Sequence, residues 1–97
     1  MQRKRDRLEI IHTILRTILD SRNSIRMTPL LRSTNLSSHG FSEYYTDLLE
    51  KGLVREDTDR QGRKFVSLTD KGYRFLERYK SILKFLDEFE LGEQDML

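Results

Sequence analysis

Between Glu50 and Gly72 the chain reads E-K-G-L-V, then T-D-R-Q-G, then K-F-V-S-L running into L-T-D-K-G. Gly52 can adopt the left-handed conformation that stops a helix, and Leu53 to Asp57 resume as a strand. Gly62 supplies the positive backbone angle of a hairpin turn, and Lys64 to Leu68 form the return strand. Thr69 then offers a side-chain oxygen to cap a new helix. The order helix, strand, loop, strand, helix admits few folds for a chain of 97 residues.

That length makes one domain, and 36% hydrophobic residues suffice for one modest core that oligomerisation would extend. There is no cysteine, which excludes disulfides, thiolate nucleophiles and cysteine-based zinc, and fits an intracellular setting. His12 and His39 alone cannot build a metal site. No apolar run approaches the roughly 20 residues of a membrane span, and the start M-Q-R-K-R-D-R leads into no signal-peptide core, so a soluble, unprocessed protein is expected. No phosphate-binding glycine loop or nucleophile–base pairing occurs, so catalysis is not expected. Residues 1–34 hold eight Lys/Arg against three Asp/Glu, whereas the remainder is nearly balanced; the overall net charge is +2. The basic third is compatible with a polyanionic partner without requiring one.

Leu8, Ile11, Leu15 and Ile18, flanked by Ile10, Ile14 and Leu19, recur at helical spacing and predict a first helix from Arg5 to about Asp20. The S-R-N-S run breaks it, and Ile25 to Met27 suit a short edge strand. Thr28 as N-cap and Pro29 at the first helical position predict a short helix to Thr34, followed by a turn at Asn35 and Leu36. Ser37 or Ser38 caps the next helix, in which Phe41, Tyr45, Leu48 and Leu49 face inward and Gly52 is the stop. In the two strands, Leu53, Phe65 or Val66, and Leu68 are the candidates for burial.

A short helix, a turn and a second helix of about 14 residues form a helix-turn-helix, and the adjoining hairpin makes it winged. The fold class is therefore α+β, mostly α. In such a motif the second helix enters the DNA major groove by its N-terminal end. Ser37, Ser38, His39, Ser42 and Thr46 place small hydrogen-bonding groups there, with Arg32 on the preceding helix and Arg60, Arg63 and Lys64 around the wing tip. The basic run Arg3, Lys4, Arg5 and Arg7 offers further phosphate contacts. Against this, Glu43, Asp47 and Glu50 share a helix face that would repel phosphate if it pointed at DNA. Either that face turns away, or the domain docks a basic protein partner instead.

In the last helix Phe75, Tyr79, Ile82, Leu86 and Phe89 are spaced 4, 3, 4, 3, the rhythm of a coiled coil, and Leu76 and Leu83 widen the stripe. From Thr69 to Glu90 this helix spans about 31 Å. Its second half has little left to cover within the chain, so pairing with a second subunit is expected; the alternative folds it back over the first helix. The interface residues are then Phe75, Tyr79, Ile82, Leu83, Leu86 and Phe89. The expected layout is a winged domain over residues 1–72, a dimerisation helix over 69–91 and a flexible tail over 92–97.

The runs R-M-T-P-L-L-R-S-T-N-L-S, Y-Y-T-D-L-L-E-K-G-L-V and F-V-S-L-T-D-K-G-Y-R-F-L resemble the archaeal winged-helix proteins of the ten-kilodalton DNA-binding family, over about residues 8–90. The resemblance implies a homodimer joined by an antiparallel coiled coil of the C-terminal helices, with two winged domains presented to double-stranded DNA. It assigns contacts to Ser37 to Thr46 and to the wing from Arg60 to Lys64. A cytoplasmic, nucleoid-associated transcriptional regulator or minor chromatin protein is the expectation, with no cofactor, metal or small-molecule ligand.

Overall fold

The computed structural model describes residues 6–90. Four helices enclose a three-stranded sheet: α1 (Arg7–Asp20), β1 (Ile25–Arg26), α2 (Met27–Thr34), α3 (Ser38–Glu50), β2 (Val54–Thr58), β3 (Lys64–Leu68) and α4 (Asp70–Glu88). The sheet is antiparallel, in the order β1-β3-β2. Arg3, Lys4, Arg5 and the tail over 92–97 lie outside the described residues.

The α1 stripe buries Ile10, Ile11, Ile14, Leu15 and Ile18 against Leu30 of α2, Phe41, Tyr45 and Leu48 of α3, and Val54, Val66 and Leu68 of the sheet. Leu8, at the end of the stripe, stays about half exposed. The alternation of the strands sets the register: Val54 faces Leu68, Glu56 faces Val66 and Thr58 faces Lys64, while Ile25 meets Val66 from the other side. Val66, not Phe65, is therefore the strand residue at the centre of the core.

Gly52 ends α3 with φ +73°. The Gly52 N–H donates to the Leu49 carbonyl and the Leu53 N–H to the Leu48 carbonyl, the two reverse bonds of a Schellman stop. Leu53 is consumed by that stop, so β2 starts at Val54 and runs one residue further than expected, to Thr58. The far end of the hairpin is tied back: Thr69 accepts from the Gly72 N–H as the α4 cap and donates to the Gly52 carbonyl, and Lys71 Nζ donates to the Lys51 carbonyl at 2.8 Å. The stop of one helix and the start of the next thus form one junction.

Two further boundaries differ from expectation. α2 begins at Met27 with Arg26 at its N-cap position and no side-chain cap, so Thr28 and Pro29 occupy the second and third helical positions. Arg26 is held extended by its pairing opposite Phe65, and the helix starts directly after it, two residues earlier than expected; Pro29 is tolerated because first-turn N–H groups lack intrahelical partners. The edge strand is accordingly only Ile25–Arg26. Its approach is braced by Asn23, at φ 57°, whose side-chain oxygen accepts from the Leu68 N–H at 2.8 Å.

Candidate nucleic-acid interface

The turn between α2 and α3 is built by two side chains. Asn35 takes the left-handed conformation, φ 58° and ψ 22°, to end α2. Buried Thr34 then donates to the Leu31 carbonyl at 2.7 Å and accepts from the Leu36 N–H at 3.2 Å, satisfying backbone groups that the bend would otherwise strand. Ser37 resolves the choice of cap: its oxygen accepts from the Gly40 N–H at 3.0 Å. Its hydroxyl is therefore occupied in starting α3, whereas Ser38, His39, Ser42 and Thr46 are exposed along one side of that helix, and Arg32 is exposed on α2.

The acidic face of α3 is not uniform. Asp47 is bonded by the Arg7 guanidinium from α1 and by Lys51 Nζ at 3.0 Å. The Lys51 hydrogen bond, then the charges of Lys51 and Arg7, hold the Asp47 carboxyl below the usual aspartate range. Arg7 also lies over the Tyr44 ring, 5.4 Å from its centroid. Asp47 thus belongs to the α1–α3 junction. Glu43 lies 3.0 Å from His39 Nε2 on the exposed surface, and Glu50 is exposed.

The wing tip, Asp59 to Arg63, is organised around one carboxylate. Asp59 Oδ1 accepts from the Gln61 and Arg63 N–H groups at 2.8 and 2.9 Å, and Oδ2 accepts from Arg63 Nε at 2.8 Å. The Arg63 N–H is the largest influence lowering the Asp59 carboxyl, helped by the Arg63 side chain, the Gln61 N–H and the charge of Arg26. Gly62, at φ +80°, closes the turn. The three wing cations therefore divide: Arg63 is held by Asp59, while Arg60 and Lys64 are exposed and form no ion pair among the described residues.

One bond joins the wing to α3. The Tyr45 hydroxyl, on a ring stacked with Phe41, donates to Glu56 Oε2 in β2 at 2.6 Å. Burial, and then the Glu56 bond, push the phenol well above its ordinary pKa. Sequence reading identified Tyr45 only as a core residue, because its outward-reaching oxygen carries no periodicity signal.

A family model described as winged helix-turn-helix matches residues 4–87. The chain belongs to the winged helix-turn-helix family. Among solved structures it is similar to Sso10a-2, a DNA-binding protein from Sulfolobus solfataricus, at 20% identity and TM-score 0.70 over 89% of this chain and 86% of that one. It is also similar to SSV1 F-93, at 22% identity and TM-score 0.63 over 92% and 99% of the two chains. MepR, a transcription regulator of the Staphylococcus aureus multidrug efflux pump MepA, gives 20% identity and TM-score 0.71 over 89% of this chain and 66% of that one. No curated protein sequence matches. The likeness to Sso10a-2 agrees with the ten-kilodalton resemblance carried by the sequence motifs.

This winged helix-turn-helix chain uses α4 in two ways. Leu76, Tyr79 and Leu86 are buried within the single chain, with Tyr79 stacked on His12 of α1 at 4.3 Å between centroids. Two residues of the expected subunit seam, Tyr79 and Leu86, are thus buried in the single chain, Tyr79 against His12 of α1. Ile82, Phe85 and Phe89 remain 46%, 55% and 61% exposed, Phe75 and Leu83 are half-buried, and the Phe85 and Phe89 rings meet at 4.9 Å. Phe85 was absent from the expected seam because it falls outside the 4, 3 spacing. Among the described residues no helix is long and apolar enough to cross a membrane, and no group of His, Cys, Asp or Glu is placed to hold a metal ion.

Proposed function

We propose that the chain binds duplex DNA as a homodimer and acts as a transcriptional regulator, without catalysis and without a cofactor. The observation that carries this reading is the exposed row Ser38, Ser42 and Thr46 on α3, beside a wing whose Arg60 and Lys64 are uncommitted, with Asp47 drawn off to α1. The α3 start enters the major groove, and Arg60 and Lys64 follow the adjacent backbone. The similar structures include a DNA-binding protein and a transcription regulator, which supports the same reading. The layout follows: a winged domain over 1–72 that presents the contacts, and α4 as the subunit joint.

Phe75, Ile82 and Phe89 recur every seven residues, and with Phe85 they form the apolar strip that a second α4 would cover. Leu83 borders it. Selection from random duplexes with purified protein tests the DNA reading. Enrichment of a defined half-site supports a regulator, retention without enrichment supports a nucleoid-associated chromatin role, and no retention at low salt overturns it.

Glu43 and Glu50 keep a second reading in view, a docking module whose acidic face meets a basic protein. The two differ in sign. Glu43→Gln with Glu50→Gln strengthens duplex binding if α3 faces phosphate, and weakens a complex in which those carboxylates are the contacts.

A further inference from the structure

Resting on the DNA reading above, we infer that Tyr45 and Glu56 are positioning residues that hold the wing at a fixed distance from α3, so that helix and wing engage a duplex as one unit. The 2.6 Å bond between them is the one side-chain hydrogen bond between α3 and the hairpin among the described residues. Its position matters as much as its length. Glu56 lies on the α3-facing side of the sheet, opposite Val66, and two residues further along the same face Thr58 stands opposite Lys64. The tie is thus two cross-strand pairs, on the same face, from an exposed wing cation, where it limits how far that cation can swing from the α3 surface.

The chemistry suits a permanent tie. Buried Tyr45 has its ring fixed against Phe41, which aims the hydroxyl. A hydrogen bond to a carboxylate is stronger than one between neutral groups; burial and the Glu56 carboxylate both raise the phenol pKa. The pairing also occupies a carboxylate that would otherwise stand free beside the surface that approaches phosphate. Among the described residues no other α3 side chain hydrogen-bonds the hairpin: the bonds of Asp47 run to Arg7 and Lys51.

The discriminating measurement is a double-mutant cycle on a fluorescein-labelled duplex recovered by selection with the wild-type protein. Lys64→Ala is measured in the wild-type, Tyr45→Phe and Glu56→Ala backgrounds. In the wild type, Lys64→Ala should weaken binding several-fold; in either second background its cost should fall toward none, because the freed wing no longer delivers Lys64 to the backbone. Glu56→Gln keeps an acceptor at the same position and should retain most of the Lys64 effect. Equal Lys64→Ala penalties in all backgrounds would overturn the positioning role, since a merely structural contribution lowers stability without altering that coupling. Glu56 is at the surface, so Glu56→Ala keeps the cycle measurable if Tyr45→Phe does not fold. Absence of duplex binding by the wild type would instead sink the DNA reading itself.

Discussion

Arg7 at the first turn of α1 bonds Asp47 in the third turn of α3, linking residues 40 positions apart across the outside of the core. The contact changes the electrostatic reading of α3, because one of its three acids is spent within the fold. It also makes a titration prediction. Asp47 should titrate below an ordinary aspartate in a carbon-detected NMR experiment, and its midpoint should rise in Lys51→Gln and, to a smaller extent, in Arg7→Gln. Because the folded-state pKa is depressed, the associated stability is present above the unfolded-state value of about 3.9 and is lost as pH falls through the folded value. An unshifted midpoint in both variants would remove the pairing from the account.

The α3–α4 junction predicts a cost for the smallest side chain. A Cβ built on Gly72 would lie 2.3 Å from the Leu53 carbonyl oxygen, which is backbone and already receives the Thr69 N–H. Gly72→Ala should therefore destabilise by about 1–3 kcal/mol despite the better helix propensity of alanine. Urea unfolding should show a lower midpoint with an unchanged m-value. A midpoint equal to or above wild type would show that the junction has slack.

At the wing, the cations should not be equivalent. Arg63 is held by Asp59, so Arg63→Ala should weaken duplex binding less than Lys64→Ala or Arg60→Ala does. Asp59→Ala removes the acceptor for two N–H groups and should speed hydrogen exchange at Gln61 and Arg63. The carboxyl of Asp59 is also depressed, so the same loosening should appear in wild type as pH drops through its folded-state pKa. Unchanged exchange in the variant would mean that the tip is ordered by Gly62 and the strands alone.

For α4, the location of each apolar residue separates assembly from folding. Ile82→Lys and Phe89→Lys fall on exposed positions and should convert a dimer into a folded monomer, read by sedimentation together with circular dichroism. Leu86→Lys strikes a residue buried in its own chain and should unfold the protein, by a charge that has no partner there. A wild-type monomer at micromolar concentration would refute the pairing of α4 helices.

Local backbone chemistry made the topology readable. Gly52, Gly62 and Thr69 act through conformations and caps that their residue types announce, and the burial of Ile11, Leu15 and Ile18 follows from their 3.6-residue spacing. What was not readable depends on partners distant in sequence. Thr28 was a plausible cap, yet the pairing of Arg26 opposite Phe65 moved the start of α2. Tyr79 fits a coiled-coil rhythm equally well whether α1 or a second subunit covers it. Asp47 read as part of an acidic face because nothing near it in sequence announces Arg7. The candidate site divides in the same way: Ser38, Ser42, Thr46, Arg60 and Lys64 are exposed, whereas Ser37 caps α3 and Arg63 is bonded to Asp59.

The DNA reading is tested most directly by the salt dependence of duplex binding, measured by anisotropy of a fluorescein-labelled duplex. It predicts that log K falls linearly with log salt, and that Arg60→Ala and Lys64→Ala each reduce the slope by about 2, as the dimer loses one phosphate contact from each of its two wings. No binding at low salt, or a slope that neither substitution changes, would contradict it.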